Sequence, residues 1–268
     1  MKWSFSRVNT FENCKYSFYL DYILPRDIRK KIYKPESNYW SENGSVVHEV
    51  LEKIFSGEIA ASDAGAYYTE MYKSGVRNTT SPATMERTFE KCSGYLENSD
   101  FDWIENYEIL GVELKVEYKL FGYKFIGFID LLLQRKDNGK IILIDHKSSD
   151  YFFKKSGEVK ANLKKKLDEY KRQMYMYSNA VKEKFGVFPD MLCWHHFKDG
   201  GKFSTVPFDM KEYEETMQWF LDRVHEIEKE ELFEPVNPEE NYFFCNNLCS
   251  YRNTCEYVLE SRNKRKHE

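Results

Sequence analysis

Two aspartates and one lysine in the middle of the chain are spaced so that they could bind a divalent cation. Asp130 ends the segment Gly127–Asp130, and Asp145 follows an apolar run two positions before Lys147. An acid after an apolar strand is costly to bury unless it is paired or bound to a metal. Two such acids from neighbouring strands can hold a hard cation through oxygen, and Lys147 points to the same strand face as Asp145. For these residues alone, an ordinary surface acid pair beside a lysine is the alternative.

The elements that position these residues follow from the periodicity of the sequence. Alternation predicts a strand at Val112–Leu120, and a turn at residues 136–139 joins two more strands into a meander. Helices are expected over most of the rest, and the stretch Arg26–Lys34 is expected to be irregular. This order predicts an α/β sandwich with a mixed sheet. The other predicted strands are Tyr123–Gln134, Lys140–Lys147, Asp190–Phe197 and Phe203–Phe208; the predicted helices are Phe11–Leu24, Gly44–Ser56 (opened by Ser41 or Asn43), a helical region Ser62–Asn98, Ala161–Lys184 and, as the final helix, Lys211–Leu232.

Two further features flank the meander. His48 lies on the helix before it, where a lone histidine is more often structural but could be a third metal ligand beside two carboxylates. Gln173 and Tyr177 lie one turn apart on the helix after it, a spacing that by itself also fits an ordinary amphipathic edge.

Three cysteines within eleven residues near the C-terminus indicate a metal centre. They are Cys245, Cys249 and Cys255, and Cys14 is the candidate fourth ligand. Four thiolates suit either Zn²⁺ or an iron–sulfur cluster, and the composition does not separate the two. Cys92 and Cys193 have no other cysteines near them in the sequence, and they are expected to be buried thiols.

Together these motifs resemble the RecB-like branch of the PD-(D/E)XK nuclease superfamily in its iron–sulfur form, which includes AddB and the CRISPR-associated RecB-like exonucleases. The resemblance covers nearly the whole chain, and four short motifs in the right order are far more specific than any one of them. The family pattern GxxxHxxLE matches Gly44, His48, Leu51 and Glu52; GxxD matches Gly127 and Asp130; (D/E)xK matches Asp145 and Lys147; and QxxxY matches Gln173 and Tyr177.

The resemblance implies a restriction-endonuclease-like α/β core and a Mg²⁺ or Mn²⁺ site. His48, Asp130, Asp145 and the backbone carbonyl of His146 would hold the metal. Lys147 would act at the attacking water or the phosphate, while Gln173 and Tyr177 would position the DNA backbone or the lysine. Glu113 stands where many relatives carry an assisting acid, although an exposed strand glutamate is the alternative.

For the cysteines, the resemblance implies a [4Fe–4S] cluster that joins the two ends of the chain. Relatives place one ligand in an early helix and three at the C-terminus, which corresponds to Cys14, Cys245, Cys249 and Cys255. This chain departs from the family in one spacing, because Cys245 and Cys249 are separated by three residues where two are usual.

A basic segment beside the expected active site could contact DNA. Lysines and one arginine dominate residues 154–172, and a solvated helix face is the competing interpretation of that charge. Adjacency to Lys147 and Gln173 favours DNA. The candidate DNA contacts are Lys164, Lys165, Lys166, Lys171 and Arg172.

These observations predict a metal-dependent deoxyribonuclease, expected to act as an exonuclease on single-stranded DNA or duplex ends. A DNA-binding scaffold for recombination or CRISPR-adaptation proteins and a zinc-stabilised interaction module are the alternatives. We expect one nuclease domain over residues 1–268, with an N-terminal helix carrying Cys14 (1–40), a helical region with His48 (41–110), the meander, helix and hairpin (111–209), and a C-terminal helix with the cysteines (210–268).

Composition bounds this prediction without specifying it. The 268 residues carry a formal net charge of −4, are 41% hydrophobic and 31% charged, and contain no apolar run long enough to cross a membrane. The net charge alone argues weakly against a nucleic-acid partner. The N-terminal residues lack the apolar stretch of a signal peptide, so a cytoplasmic location is expected.

Overall fold

A computed structural model describes residues 2–99 and 101–267 of the chain. Six strands form one mixed sheet, with helices packed against both of its faces. The α/β class with a mixed central sheet, predicted from the sequence, is confirmed. Within the described residues, no helix is both long and apolar enough to cross a membrane.

The strands lie in the order β1-β3-β4-β5-β6, and β2 pairs with the other edge of β3. Strands β4 and β5 are parallel and are connected through helix α7, whereas β2 and β4 run antiparallel to β3. The strands are β1 (Lys2–Trp3), β2 (Tyr107–Leu120), β3 (Tyr123–Arg135), β4 (Ile141–Lys147), β5 (Met191–His196) and β6 (Lys202–Pro207). The α-helices are α1 (Phe5–Asn13), α2 (Lys15–Phe18), α3 (Arg26–Ile32), α4 (Tyr39–Phe55), α5 (Ala64–Gly75), α6 (Pro82–Asn98), α7 (Lys164–Phe185), α8 (Met210–Lys229) and α9 (Glu256–His267).

Strand β3 has different partners at its two ends, and this creates a gap in the sheet. Strand β1 pairs with the start of β3, where Trp3 lies opposite Phe125. Strand β4 pairs only with the end of β3, and the last residue pair of that ladder is Leu131 with Ile144. Asp130 and Asp145 are the next residues beyond this pair, so both carboxylates lie at the point where the two strands separate.

Two hydrophobic cores fix the sheet between its helical layers. On one face, α1, α7 and α8 bury a core that includes Phe125, Met174 and Phe220. On the other face, α4, α5 and α6 bury a second core that includes Val47 and Leu131. Burying a large apolar side chain contributes about 1.5–3 kcal/mol, so these two layers hold α4 and α7 firmly on opposite sides of the strand gap.

The strand predictions are confirmed to within a few residues, although β2 begins at Tyr107, five residues before the predicted start at Val112. Three of the predictions about helices are wrong. The helix predicted at Phe11–Leu24 breaks at Cys14, whose backbone is extended and whose Sγ accepts a hydrogen bond from the Ser17 amide; a wide π-type turn, Tyr19–Ile23, follows α2. The stretch Arg26–Lys34, predicted to be irregular, contains helix α3. Helix α8 was predicted to be the last helix, but α9 follows it. Helix α9 buries few side chains, so the sequence shows no apolar stripe that would indicate it.

Helix α4 also begins earlier than predicted. Asn38 caps it by accepting a hydrogen bond from the Ser41 amide at 3.0 Å, in place of the predicted caps Ser41 and Asn43. Tyr39 is almost fully buried at the first helical position, and Asn43 is buried in the helix interior against Tyr68. Packing of Tyr39 therefore extends the helix by one turn toward its N-terminus.

Strand β5 carries a fully buried histidine whose titration predicts sensitivity to acid. His196 donates to the Ser149 carbonyl at 3.0 Å and contacts Ser204 Oγ at 2.8 Å. Burial, the largest cause, lowers the pKa of His196 to about 4, against an ordinary value near 6.5. Between pH 6.5 and 4 this histidine is protonated in the unfolded chain but neutral in the folded chain. The free energy of unfolding is therefore expected to fall by about 3 kcal/mol as the pH decreases over this range.

Urea unfolding of the wild type and of His196→Asn across this pH range measures the effect. The variant should lose stability less steeply with falling pH than the wild type does. Exposed His225 on α8 offers the matched control, and His225→Asn should keep the wild-type slope. Equal slopes for all three proteins would show that His196 does not carry this proton linkage.

Candidate active site

The gap between β3 and β4 is closed by a network around the backbone of His146. The His146 amide donates to Asp130 Oδ2 at 2.7 Å, and its carbonyl accepts a hydrogen bond from His48 Nε2 at 3.0 Å. The other ring nitrogen of His48 lies 3.5 Å from Asp130 Oδ2 and 3.9 Å from Glu113 Oε1. One side chain from α4 thus meets two carboxylates and one backbone carbonyl, a set of nitrogen and oxygen ligands suited to a divalent cation.

Three of these side chains are close enough to share one ion. The candidate ligand atoms of His48, Glu113 and Asp130 all lie within 4.8 Å of one another. Glu113 has a positive φ of 41°, a strained conformation for a residue with a side chain, on the strand directly beside Asp130. Such strain is typical of functional positions, and it accompanies a carboxylate that lines the same cleft as His48.

Asp145 completes the acidic side of the site and is almost fully buried, at 4% exposure. Its Oδ2 lies 2.6 Å from Lys147 Nζ, so the lysine ammonium already pairs with this buried oxygen. Asp145 is not among the three side chains whose ligand atoms lie within 4.8 Å of one another. The donor set that fits a metal is therefore that of His48, Glu113 and Asp130, and Asp145 lies close enough to affect the charge of Asp130.

Helix α7 holds Lys147 from the opposite side of the gap. Lys147 Nζ donates to Gln173 Oε1 at 3.1 Å, and Gln173 Nε2 donates to the Tyr177 hydroxyl at 3.4 Å. The ammonium also lies 4.5 Å from the ring centre of Tyr170, a favourable cation–π distance. The four-residue spacing of Gln173 and Tyr177 therefore serves to fix the lysine.

Gly127 is required by the Tyr177 ring. A Cβ at position 127 would lie 2.5 Å from Tyr177 Cε1, far inside normal contact distance. The glycine of one sequence motif thus makes room for the tyrosine of another, which packs against β3 and supports Gln173. This contact explains why the two motifs occur together in one chain.

We expect Gly127→Ala to displace the Tyr177 ring and weaken the support of Lys147. The overlap should cost about 1–3 kcal/mol of stability, and any catalytic activity of the site should fall by about tenfold or more because Lys147 is misplaced. Thermal unfolding and activity measurements check both effects. Gly94→Ala is the control: an added Cβ there meets nothing within 4 Å on α6, so helix stability should rise slightly. Wild-type stability in Gly127→Ala would contradict the packing argument.

The charges of the site are strongly coupled. Burial, the largest cause, and the nearby Asp145 raise the pKa of Asp130 to about 7. Burial lowers the pKa of His48, but Asp130 and Glu113 outweigh it, so that the pKa lies above its ordinary value. Burial also opposes the charged form of Lys147, yet Asp145, Tyr170 and Asp130 together raise its pKa. Lys147 is therefore a permanent cation near neutral pH.

The basic residues of α7 are spread over several faces of the helix. Lys166 lies seven residues before Gln173, on the active-site face, with its Nζ 5.5 Å from the Tyr170 ring centre. Lys171 binds both oxygens of Glu212 at 2.8 Å, and Arg172 stacks on Trp219 at 4.7 Å. Of the five predicted DNA contacts, Lys166 alone shares this face; Lys164 and Lys165 are exposed at the start of the helix.

Sequence reasoning missed three groups of residues at the site. Tyr170 could have been found from its spacing of seven residues before Tyr177, which places both on one helix face. Trp40, at the start of α4, lines the same cleft as His48. A buried pair behind the site carries no such signal: the Tyr95 hydroxyl contacts His195 Nε2 at 2.6 Å, and His195 Nδ1 contacts His146 Nδ1 at 2.9 Å.

The four predicted cysteine ligands line one small cavity of about 20 Å³. Cys14, Cys245 and Cys255 are buried, Cys249 is partly buried, and all four are free thiols. Burial, the largest cause in each case, raises the pKa of Cys245 to about 11 and that of Cys249 to about 12. Backbone amides donate to the sulfurs of Cys14 and Cys249 at 3.4 Å, which is compatible with thiolate ligands. Among the described residues, however, no three of these sulfurs all lie within 4.8 Å of one another, so the structure places the cysteines around one cavity without forming a metal-binding cluster.

A family model and solved structures are similar to this chain. The family model described as "PD-(D/E)XK nuclease superfamily" matches residues 2–256. A crystal structure from Eubacterium rectale, described as that of a candidate exonuclease, is similar with a TM-score of 0.51 and 13% identity, over 97% of this chain and 88% of that one. The structure of SSO0001 is more distant, with a TM-score of 0.31 and 14% identity over 81% and 85% of the two chains. No curated protein sequence matches significantly.

Proposed function

Because the chain belongs to the PD-(D/E)XK nuclease superfamily, we propose that it is a metal-dependent deoxyribonuclease that hydrolyses phosphodiester bonds. The observation that carries this proposal is the meeting of His48, Asp130 and the His146 carbonyl at the strand gap, beside the buried ion pair of Asp145 with Lys147. An accessory scaffold would have no need of this set of acids and lysine.

His48, Asp130, Asp145 and the His146 carbonyl would hold Mg²⁺ or Mn²⁺, and Glu113 would assist from the edge of the cleft. When bound, the metal would lower the pKa of a coordinated water and neutralise charge on the phosphate. The Asp130 carboxylate would keep the His146 carbonyl directed into the site through its bond to the His146 amide. The pairing of β3 with β4 ends immediately before these residues, so the His146 backbone contacts Asp130 and His48 and makes no ladder hydrogen bonds with β3.

Lys147 would stabilise the negative charge that develops on the phosphate. Its neighbours raise its pKa, so it would act as a cation and hydrogen-bond donor at the phosphate or at the attacking water. Asp145, Gln173 and Tyr170 hold its ammonium from three sides. Tyr177 would act one step further away, by orienting Gln173.

We further propose that Cys14, Cys245, Cys249 and Cys255 bind a [4Fe–4S] cluster, with Zn²⁺ as the alternative. Support comes from four free thiols around one cavity and from the amide donors to two of the sulfurs. The centre would be structural, because Cys245, Cys249 and Cys255 lie in a small separate core. Iron, sulfide and zinc analysis of protein purified without oxygen distinguishes the two metals.

The proposed substrate is DNA with a single-stranded region or an accessible end. Lys164, Lys165 and Lys166 at the start of α7 would contact its phosphates. Cleavage of end-labelled single-stranded, duplex and circular DNA with Mg²⁺ or Mn²⁺ tests the proposal. Terminal nucleotides released from linear DNA, with circular DNA left intact, support an exonuclease; no cleavage of any DNA with either metal would overturn the proposed function.

A further inference from the structure

A cleft of about 700 Å³ runs along helix α4 from the candidate metal site to an aromatic side chain. Trp40, Gly44 and His48 are spaced four residues apart, so they share one face of the helix. An added Cβ at Gly44 would meet nothing within 4 Å, so the middle of this face is open. Eight residues of helix span about 12 Å, or about three to four nucleotides at the ~3.4 Å rise of a duplex strand.

At the far end of the cleft, the partly buried Trp40 contacts an exposed phenylalanine that lies just outside the cleft. The Phe243 ring packs edge-to-face on Trp40, with centroids 5.6 Å apart, yet 57% of Phe243 is exposed. Phe243 lies two residues before Cys245, and this segment is fixed against the start of α4 because Asn38 Nδ2 donates to the Leu248 carbonyl at 3.0 Å. A large exposed aromatic held rigidly beside a cleft is a surface for stacking.

The negative charge of the side chains along the α4 side of the cleft argues against phosphate binding there. The side chains that line the cleft include Glu49, Glu52, Glu113 and Asp130. Its one lysine, Lys53, is paired with Glu58 at 2.8 Å. A DNA backbone laid along α4 would therefore be repelled, whereas Lys166 of α7 and Lys147 at the end of β4 lie across the gap. A strand in the site would place its phosphates toward α7 and its bases toward α4.

We propose that Trp40 and Phe243 form a base-stacking platform, on which an unpaired nucleobase of single-stranded DNA rests a few nucleotides from the phosphate at the metal site. The inference rests on the proposed function and specifies its substrate, because a base within a duplex is not available to such a platform. Stacking is tolerant of sequence, since every base has a π-face, so the platform would select strandedness and not sequence.

Binding of a fluorescein-labelled single-stranded dodecamer, in the full chain carrying Asp145→Asn to prevent cleavage, tests the platform. Trp40→Ala and Phe243→Ala should each weaken binding by about fivefold or more, with the dependence on salt unchanged. Lys166→Gln should instead lower the slope of log affinity against log salt by about 0.7. Trp40→Phe should restore binding, and Phe121→Ala should have no effect, because this exposed residue lies at the hairpin tip, nine residues or roughly 30 Å along β3 from Asp130.

An abasic nucleotide moved stepwise along the dodecamer provides the second measurement. At one or two positions it should weaken binding to the parent protein but not to Phe243→Ala. Equal affinities for the parent, Trp40→Ala and Phe243→Ala, with no abasic effect, would overturn the platform even if the wild type cleaves DNA. Aromatic-dependent binding without cleavage of any DNA by the wild type would overturn the proposed nuclease and support the platform. Absence of binding to the dodecamer would overturn the platform, and the nuclease would then be judged by wild-type cleavage alone.

Discussion

Replacing Asp145 with asparagine is expected to lower the rate of metal-dependent DNA cleavage by about 1,000-fold or more. The amide keeps the volume of the carboxylate but removes the negative charge of a proposed metal ligand. It also removes the partner that lies 2.6 Å from the Lys147 ammonium. Two parts of the machinery are lost at once, and loss of one preorganised charge in an active site commonly costs about 100- to 1,000-fold. Single-turnover cleavage of labelled DNA measures the effect.

Lys147→Met is the companion variant, and Lys115→Met is its control. Lys147→Met should lower cleavage comparably while leaving metal binding in place. Lys115 is an exposed lysine on β2 that pairs with Glu117, and its loss should change the rate by no more than about twofold. A cooperative thermal transition in each variant shows that it is folded. Cleavage at the wild-type rate by folded Asp145→Asn or Lys147→Met protein would disprove the assigned site.

The second large effect is expected at the cysteines. A centre that links Cys14 to Cys245 closes a loop of 231 residues (245 − 14), and restricting the unfolded chain in this way is worth on the order of 5 kcal/mol. Cys255→Ser should therefore lose the bound metal and lower the melting temperature by about 10 °C or more. Metal analysis and calorimetry on the same oxygen-free sample check both parts.

Cys193→Ser is the matched control for this prediction. Cys193 is buried on β5 and contacts the Thr205 hydroxyl at 3.2 Å, so a serine there can form a hydrogen bond. This variant should keep its metal and lose little stability. A wild-type protein that contains neither iron nor zinc after purification without oxygen, or a Cys255→Ser protein with full metal content, would refute the cysteine centre.

The elements of the fold were predictable where one local signal dominates. Alternation of polar and apolar residues located β2, and the helical period located α7, because each buries one face. The break at Cys14 was not predictable, because the residues on both sides continue a helical pattern and only the position of the sulfur interrupts it. Helix α9 was missed because it presents almost no apolar stripe.

For the candidate site, too, local sequence patterns predict some features and miss others. The residues His48 and Asp130 lie close together at the end of the β3–β4 ladder, and Lys147 pairs with Asp145 beside them, while their roles stay predictions. The contacts of Gly127 with Tyr177 and of Trp40 with Phe243 depend on distances between segments remote in sequence. No periodicity within one segment encodes such distances. The net charge of −4 was likewise uninformative, because it averages an acidic α4 wall with the cations of α7.

Mn²⁺ occupancy and cleavage rate, measured on the same samples, test the central claim most directly. Mn²⁺ bound to the wild type and to Asp130→Asn is followed by electron paramagnetic resonance, while single-turnover cleavage of 5′-labelled single-stranded DNA is recorded at each concentration. The account predicts that the wild-type rate rises in proportion to the bound Mn²⁺ and that Asp130→Asn loses both together. Cleavage that persists in EDTA, or full Mn²⁺ binding and cleavage in Asp130→Asn, would contradict it.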